Sequence, residues 1–367
     1  MITAISFLAN NGALGGGEVM LLRMARAAKD LGAVVQVVGP TEPTELRQAC
    51  EEAALAYVTI PGVDRRAYLV NLARQRGSFG SGLLWCNGLL PALAMAFARQ
   101  ERVIHLHQMP TGLQRLAALL ASACSLATVV PSHNMQRHVR GSLALPNWTD
   151  PMEPVVRERD TESAIEIGFI GRLSPIKGID ILAEAIGLLE VRSPGRFRLL
   201  VAGDGRFVPA KDTALVNSKL SAIDRVTTRL GWVDRDCFYR SVDIAVVPSV
   251  WDEPFGLVSA EAMALGTPLV VSNAGALPEV VGPEYPWVAR RGDPADLADK
   301  IEQVAFNVDQ RQEVAQKARA RWTACFSPEA GQQRFAALLA SLGVDLGTAV
   351  GAPAKRSPSP PNKQKEE

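Results

Sequence analysis

Residues 250–266, VWDEPFGLVSAEAMALG, set two carboxylates, Glu253 and Glu261, on either side of Phe255-Gly256-Leu257. The apolar run DIAVVPS just before it reads as a strand ending near Ser249, so Glu253 falls in the next loop and a helix opens at residues 255–257. At ~3.6 residues per turn, Glu261 lies about one turn inside that helix. A helix N-terminus opening at a glycine suits a phosphate, and phosphate repels carboxylate. The two acids therefore suit hydroxyl groups, one on a ribose and the other on a sugar ring. The competing reading is that Glu261 complements the helix dipole while Glu253 is solvated.

GFIGRLSPIKG, residues 168–178, offers complementary chemistry. A strand ends at Gly171 and a helix begins near Gly178, with Arg172 and Lys177 on the loop between them. Such a pair can neutralise a diphosphate, arginine as a planar fork and lysine as a point charge; the plain alternative is a solvated loop. NNGALGGGEVM, residues 10–20, places Gly15, Gly16 and Gly17 between the first strand and the first helix, where a backbone can approach a ligand closely or a strand and helix can pack tightly. It is not the dinucleotide fingerprint, and no GxxxxGK[ST] occurs. In IHLHQMP the two histidines are expected on opposite faces of a strand, His107 toward a cleft and His105 in the core. His133 and His138, five apart on a helix, do not stack as ligands, and no metal site emerges. The acid-x-acid pair in VDRD follows GW and opens a helix, so Asp234 reads as an N-cap. The AGDG turn places Gly203 at a strand end.

The elements that must position these residues follow from the alternation of short apolar runs with longer amphipathic stretches. ITAISFL, AVVQVVG, AYVTI, GLLWCN, RVIHLH and LATVVP form one strand series, and AIEIGFIG, RFRLLVAG, VTTRLGWV, DIAVVPS and TPLVVS a second. Continuous rather than alternating apolar runs imply strands buried on both faces, hence parallel sheets covered by helices. The fold class is α/β, two doubly wound domains whose carboxyl edges meet at a cleft. The expected division is a first domain over 1–148, a linker over 149–163 rich in proline and charge, and a second domain over 164–325. A C-terminal helix over 326–343 can cross back to the first domain, and a disordered tail runs over 344–367. The 367 residues suit two cores, and 47% hydrophobic content describes a globular chain. A net charge of +1 gives no reason to expect nucleic acid as a partner. Five scattered cysteines, no basic leader and no spanning apolar run point to a cytoplasmic chain, with at most peripheral membrane contact.

Taken in order, these motifs resemble glycosyltransferase family 4, retaining enzymes of the GT-B architecture with two Rossmann-like domains. The resemblance rests on GGE (Gly16, Gly17, Glu18), the strand-end histidine, GRL-x-x-x-KG, the GDG turn, EPFGL with its second glutamate, SNAGALPEVVG and RRGDPADLADKI, across most of the chain. It implies that Arg172 and Lys177 bind the donor diphosphate and that Glu261 holds the ribose hydroxyls. Glu253 would contact the donor sugar, with backbone N–H groups of Phe255, Gly256 and Leu257 nearby. Gly171, Gly203 and Val233 would line the donor. His107 would sit by the anomeric carbon, and Gly15–Gly17 would line the acceptor side and the phosphates. The implied donor is a UDP-sugar or GDP-sugar, used without a metal or cofactor, and the implied activity is hexosyl transfer in surface polysaccharide or glycolipid assembly. With His107 as the sole base in the cleft, the departing phosphate is expected to take the acceptor proton on the same face.

The acceptor, a saccharide or a lipid-linked one, is read from weaker signals. Residues 1–150 carry 13 Lys+Arg against 9 Asp+Glu, and DRRAYLVNLARQR at 64–76 mixes arginines with apolar residues on a helix. This suits an anionic membrane surface; a solvated helix face is the alternative. A nucleotide-sugar epimerase of the same fold would act on donor alone. A silent partner subunit would have no reason to keep Arg172, Lys177, Glu253 and Glu261 together. An oxidoreductase is disfavoured by the missing fingerprint.

Overall fold

The computed structural model describes residues 4–154, 163–206, 208–344 and 346. Among the described residues, thirteen strands divide into two sheets. The first holds β1 (Ala4–Ala9), β2 (Val34–Pro40), β3 (Ala56–Ile60), β4 (Leu83–Asn87), β5 (Arg102–His105), β6 (Ala127–Val130) and β7 (Leu143–Ala144), in the order β3-β2-β1-β4-β5-β6-β7. The second holds β8 (Ile165–Ile170), β9 (Phe197–Ala202), β10 (Thr227–Gly231), β11 (Ile244–Val247), β12 (Leu269–Ser272) and β13 (Val288–Ala289), in the order β10-β9-β8-β11-β12-β13. Every pairing is parallel. All five residues of β4 and all four of β11 and β12 are buried, as uninterrupted apolar runs require of strands covered on both faces. The sequence runs anticipate every strand but β7 and β13, two-residue edge strands too short to carry a pattern.

Strand order reverses between β1 and β4 in one sheet and between β8 and β11 in the other. Such switch points open a crevice at the carboxyl ends of the strands. The glycine loop of residues 10–17 leaves β1, and the loop carrying Arg172 and Lys177 leaves β8. Each glycine-rich stretch thus sits at the crevice of its own domain.

The chain ends by tying the halves together. The helix Val308–Cys325 buries Ala318 and Trp322 in the second domain, and the helix Pro328–Ser341 sends Phe335 and Leu339 into the core of the first. Trp148 packs on Phe335 with ring centroids 6.4 Å apart, and a Cβ at Gly331 would come within 2.2 Å of its ring. Two expected boundaries shift. Thr149, assigned to the linker, is fully buried: its hydroxyl accepts from Trp322 Nε1 at 2.8 Å, since a buried indole N–H needs an acceptor. Val344, assigned to the tail, is buried against the first core. The linker residues 155–162 and the tail residues 345 and 347–367 lie outside the described residues.

Candidate functional site

On the second domain, Pro175–Lys177 form a single 3-10 turn closed by Gly178 at φ 73°. Only glycine fits, because a Cβ would lie 1.9 Å from the Pro248 carbonyl oxygen. That close approach brings the β8 and β11 loops together, and Val250 N–H donates to the Ile176 carbonyl at 3.1 Å. Lys177 Nζ then lies 2.5 Å from Glu253 Oε1, the same oxygen that accepts from Ser249 Oγ at 2.6 Å. The Glu253 side chain is only 6% exposed, while Lys177 keeps 31% and its ammonium lies 5.8 Å from the Trp251 ring centroid. Gly275 pins Glu253 from below: a Cβ there would meet its backbone at 2.3 Å, and Ala276 N–H donates to the Glu253 carbonyl at 2.8 Å. Arg172 is exposed and holds no ion pair among the described residues. Gly203, at φ 119°, backs onto Gly171, where a Cβ would stand 2.0 Å from the carbonyl oxygen. Val233 is half-buried beside the helix Arg235–Ser241, whose N-cap Asp234 accepts from Cys237 N–H at 3.1 Å.

The helix Leu257–Leu265 starts at Gly256, φ 98°, as anticipated. Phe255 turns its ring into the core, T-stacked on Phe326 at 5.4 Å, so only its backbone is left for a ligand. Glu261 is buried on this helix and paired with Arg235 Nη1 at 2.5 Å. Burial pushes its carboxyl upward, and the Arg235 guanidinium opposes that shift.

On the first domain, His107 lies just beyond β5 and packs on the glycine loop, its Cδ2 3.1 Å from where a Gly17 Cβ would be. Asn87 at the end of β4 donates from Nδ2 to the Gly17 carbonyl at 3.0 Å, which turns its Oδ1 to His107 Nε2 at 2.7 Å. A carbonyl oxygen can only accept, so the Asn87 orientation follows, Nε2 carries the imidazole proton and Nδ1 is left as an acceptor. Burial lowers the His107 pKa to about 4, so the ring is neutral near pH 7. The expected opposition of the two histidines is wrong. Their rings lie 4.0 Å apart, because a period of two puts residues i and i+2 on one face. His105 is buried, as expected. Glu18, in the first turn of the helix Gly16–Asp30, is also buried, and desolvation raises its carboxyl to about 7 against its own backbone N–H, that of Gly15 and the charge of Arg65.

The two halves touch at this point. A Cβ on Gly16 would lie 3.4 Å from Leu257 Cδ1, so the first-domain glycine loop rests against the second-domain helix N-terminus. Glu279 reaches across as well, accepting from His133 N–H at 2.9 Å and Asn134 N–H at 2.6 Å. The structure therefore gathers Gly15–Gly17, His107, Gly256 and Leu257 at one interdomain cleft, with the Lys177–Glu253 pair at the second switch crevice. Sequence reasoning missed Asn87, Ser249, Trp251 and Arg235. Asn87 and Ser249 were visible as polar residues closing apolar strands at switch points; Arg235 was passed over because only the acids of VDRD were weighed. Among the described residues, no group of three or more His, Cys, Asp or Glu could hold a metal ion.

Two parallel, doubly wound sheets joined at such a cleft are a GT-B architecture, and the solved structures that resemble it agree. Anabaena Alr3699/HepE in complex with UDP-glucose superposes with a TM-score of 0.80 at 20% identity, over 92% of this chain and 99% of that one. Sucrose-phosphate synthase from Thermosynechococcus elongatus gives 0.77 at 18% identity, over 93% and 99%. Residues 164–307 match the family described as Glycosyl transferases group 1. The D-inositol 3-phosphate glycosyltransferase of Saccharomonospora viridis is 35% identical over 165 residues, 42% of this chain and 38% of that protein. The MMP alpha-(1->4)-mannosyltransferase of Mycolicibacterium hassiacum is 38% identical over 125 residues, 34% and 29% of the two chains. The match thus spans well under half the length of these curated relatives.

Proposed function

We propose that the chain moves a hexose from a nucleoside diphosphate sugar to an acceptor hydroxyl with retention of anomeric configuration, as a family 4 glycosyltransferase. One observation carries the reading. Ion-paired side chains, Lys177–Glu253 and Arg235–Glu261, cluster on the second domain, and the neutral His107–Asn87 pair lies on the first beside the glycine loop that touches Leu257. Breaking the bond between the anomeric carbon and the phosphate oxygen leaves an electron pair on the diphosphate. Arg172, Lys177 and the N–H groups at Gly256 and Leu257 meet that charge with fixed donors. Lys177 exchanges Glu253 for phosphate, while Glu253 keeps Ser249 as donor and turns its free oxygen to the sugar hydroxyls. Glu261 addresses the ribose beside Arg235, and Gly171, Gly203 and Val233 line the nucleotide.

The acceptor oxygen forms its bond on the face the phosphate leaves, and its proton goes to the departing phosphate oxygen. His107 supports this assignment by default: neutral, with Nε2–H held by Asn87, it can orient the acceptor through Nδ1 but is too weak a base to ionise it. No metal takes part in this scheme. The donor is a UDP-sugar or GDP-sugar; the UDP-glucose held by the Anabaena protein favours the first. The acceptor is a saccharide or lipid-linked saccharide of surface polysaccharide or glycolipid assembly, used on the cytoplasmic side.

A thermal-shift panel of UDP, GDP, ADP and their sugars at millimolar concentration tests the donor site. Stabilisation by one nucleotide series supports it, and none by any of them removes it. Proton NMR of the product tests the stereochemistry, since an inverted anomer excludes same-face transfer. Conversion of donor without acceptor would indicate an epimerase instead.

A further inference from the structure

The helix Leu113–Ser122 is built inside out. At about 100° per residue, Leu113, Leu116, Leu119 and Leu120 share an arc roughly 120° wide, and Ala117, Ala118 and Ala121 share the opposite side. A surface helix normally turns its large apolar residues to the core. Here Leu113 is 86% exposed, Leu116 57%, Leu119 69% and Leu120 62%, and Ala121 is the helix's one buried residue. The neighbouring helix Leu89–Ala94 packs beside it, and the connection that follows adds Phe97, 85% exposed. A ten-residue helix is marginal in water by itself. One buried alanine leaves this one short of packing on the side where its leucines stand.

The charge of the surrounding stretch of chain is mostly of one sign. Residues 61–142 contain nine arginines, no lysine and only two acids, Asp64 and Glu101. All the arginines but Arg102 are exposed, Arg99 and Arg115 beside the apolar surface, and none of the exposed ones pairs with a carboxylate among the described residues. The stretch at 64–76 supplies arginines but little apolar surface, because the helix Arg65–Arg74 turns Tyr68 and Leu72 inward. The apolar partner of that charge is the leucine face of the later helix.

We infer that the leucine face of Leu113–Ser122, with Phe97, docks on an anionic lipid bilayer. The leucines enter the headgroup boundary and the arginines meet lipid phosphates, as interfacial helices do. A second copy of the chain fits poorly, because two such faces would set arginine against arginine. Leu113 follows His107 by six residues, so this helix starts from the loop that leaves the carboxyl end of the strand Arg102–His105.

Sedimentation with vesicles of phosphatidylcholine and phosphatidylglycerol in equal parts tests this without sugar transfer, so the outcome is separate from the proposed reaction. The full chain should bind at low salt and lose most binding at high salt. Leu116→Glu with Leu119→Glu should weaken partitioning by about tenfold or more, and Arg99→Glu with Arg115→Glu by several-fold. Both variants should melt like the parent, since the side chains are exposed. Absence of binding at low salt, equal binding to pure phosphatidylcholine, or unchanged binding by the leucine variant would each overturn the assignment. So would a parent dimer in light scattering that the leucine variant splits, which would give the face to a second copy.

Discussion

In the second domain the buried carboxylates stand beside cations, Glu253 against Lys177 and Glu261 against Arg235, each at 2.5 Å. On the first domain, Glu18 and His107 have no ion pair among the described residues and are pushed toward their neutral forms, Glu18 up to about 7 and His107 down to about 4. His105 is lowered too, by burial and then by His107. The contrast suits the work proposed for each half. A departing diphosphate carries charge that fixed ions can meet, whereas an acceptor hydroxyl needs orientation until the phosphate takes its proton.

The contrast breaks most visibly at Lys177. Lys177→Ala should lower turnover at saturating donor by about 10²–10³-fold, the range for removing one charge-stabilising donor. It also leaves Glu253 buried beside Ser249 alone, at a stability cost of about 3 kcal/mol. Adding Glu253→Gln should restore the melting temperature, which assigns the stability loss to the unpaired carboxylate. A normal rate in the lysine variant would remove its assigned role. Glu261→Ala comes next and should weaken nucleotide binding by about tenfold, about 1.4 kcal/mol by calorimetry, with a smaller effect on turnover.

The first domain should answer less strongly. Asn87→Ala releases the His107 tautomer and should cost about tenfold in turnover with little change in donor affinity. Across pH 5.5–8 no rate inflection should belong to His107, because its imidazolium forms only near pH 4; an inflection near 6.5 that disappears in His107→Gln would contradict the neutral ring.

The smallest effect is on stability. Glu18 has a folded pKa raised above its unfolded one, so its contribution is fully present below about pH 4.5 and is lost as pH rises through about 7, up to about 3 kcal/mol. Glu18→Gln should therefore raise the melting temperature at pH 8 by several degrees and leave it unchanged near pH 4.5. His107 has the opposite sign, with stability present above pH 6.5 and lost toward pH 4. The two windows overlap between about pH 4.5 and 6.5, where falling pH restores the Glu18 contribution while it removes that of His107.

Much of this was legible before any coordinates. The inner strands were readable because each is a continuous apolar run, and the helix start at Gly256 because glycine followed an apolar strand and a short loop. Arg172, Lys177 and Glu253 were legible as candidates because charges recurred just past strand ends, and Glu261 because it lies about a turn inside the next helix. The pairings within the set were not. Lys177 and Glu253 are 76 residues apart, and their contact depends on Gly178 meeting the Pro248 carbonyl. Arg235 was hidden by its acidic neighbours, and the side-by-side histidines were misread by a slip in strand periodicity. The outward leucines of Leu113–Ser122 were also invisible, since an apolar helix in a sequence is ordinarily assigned to the core.

The sequence by itself determined two doubly wound domains, the loops that leave their central strands and the types of chemical group those loops carry. Local physics suffices there: apolar runs make buried strands, and glycine after a strand allows a tight turn. Only the tertiary structure decided which charges neutralise one another, which histidine nitrogen holds its proton and which apolar face stays outside. Those outcomes depend on burial and on contacts between distant segments, where desolvation outweighs intrinsic acidity and a single close backbone approach sets the partner of a side chain.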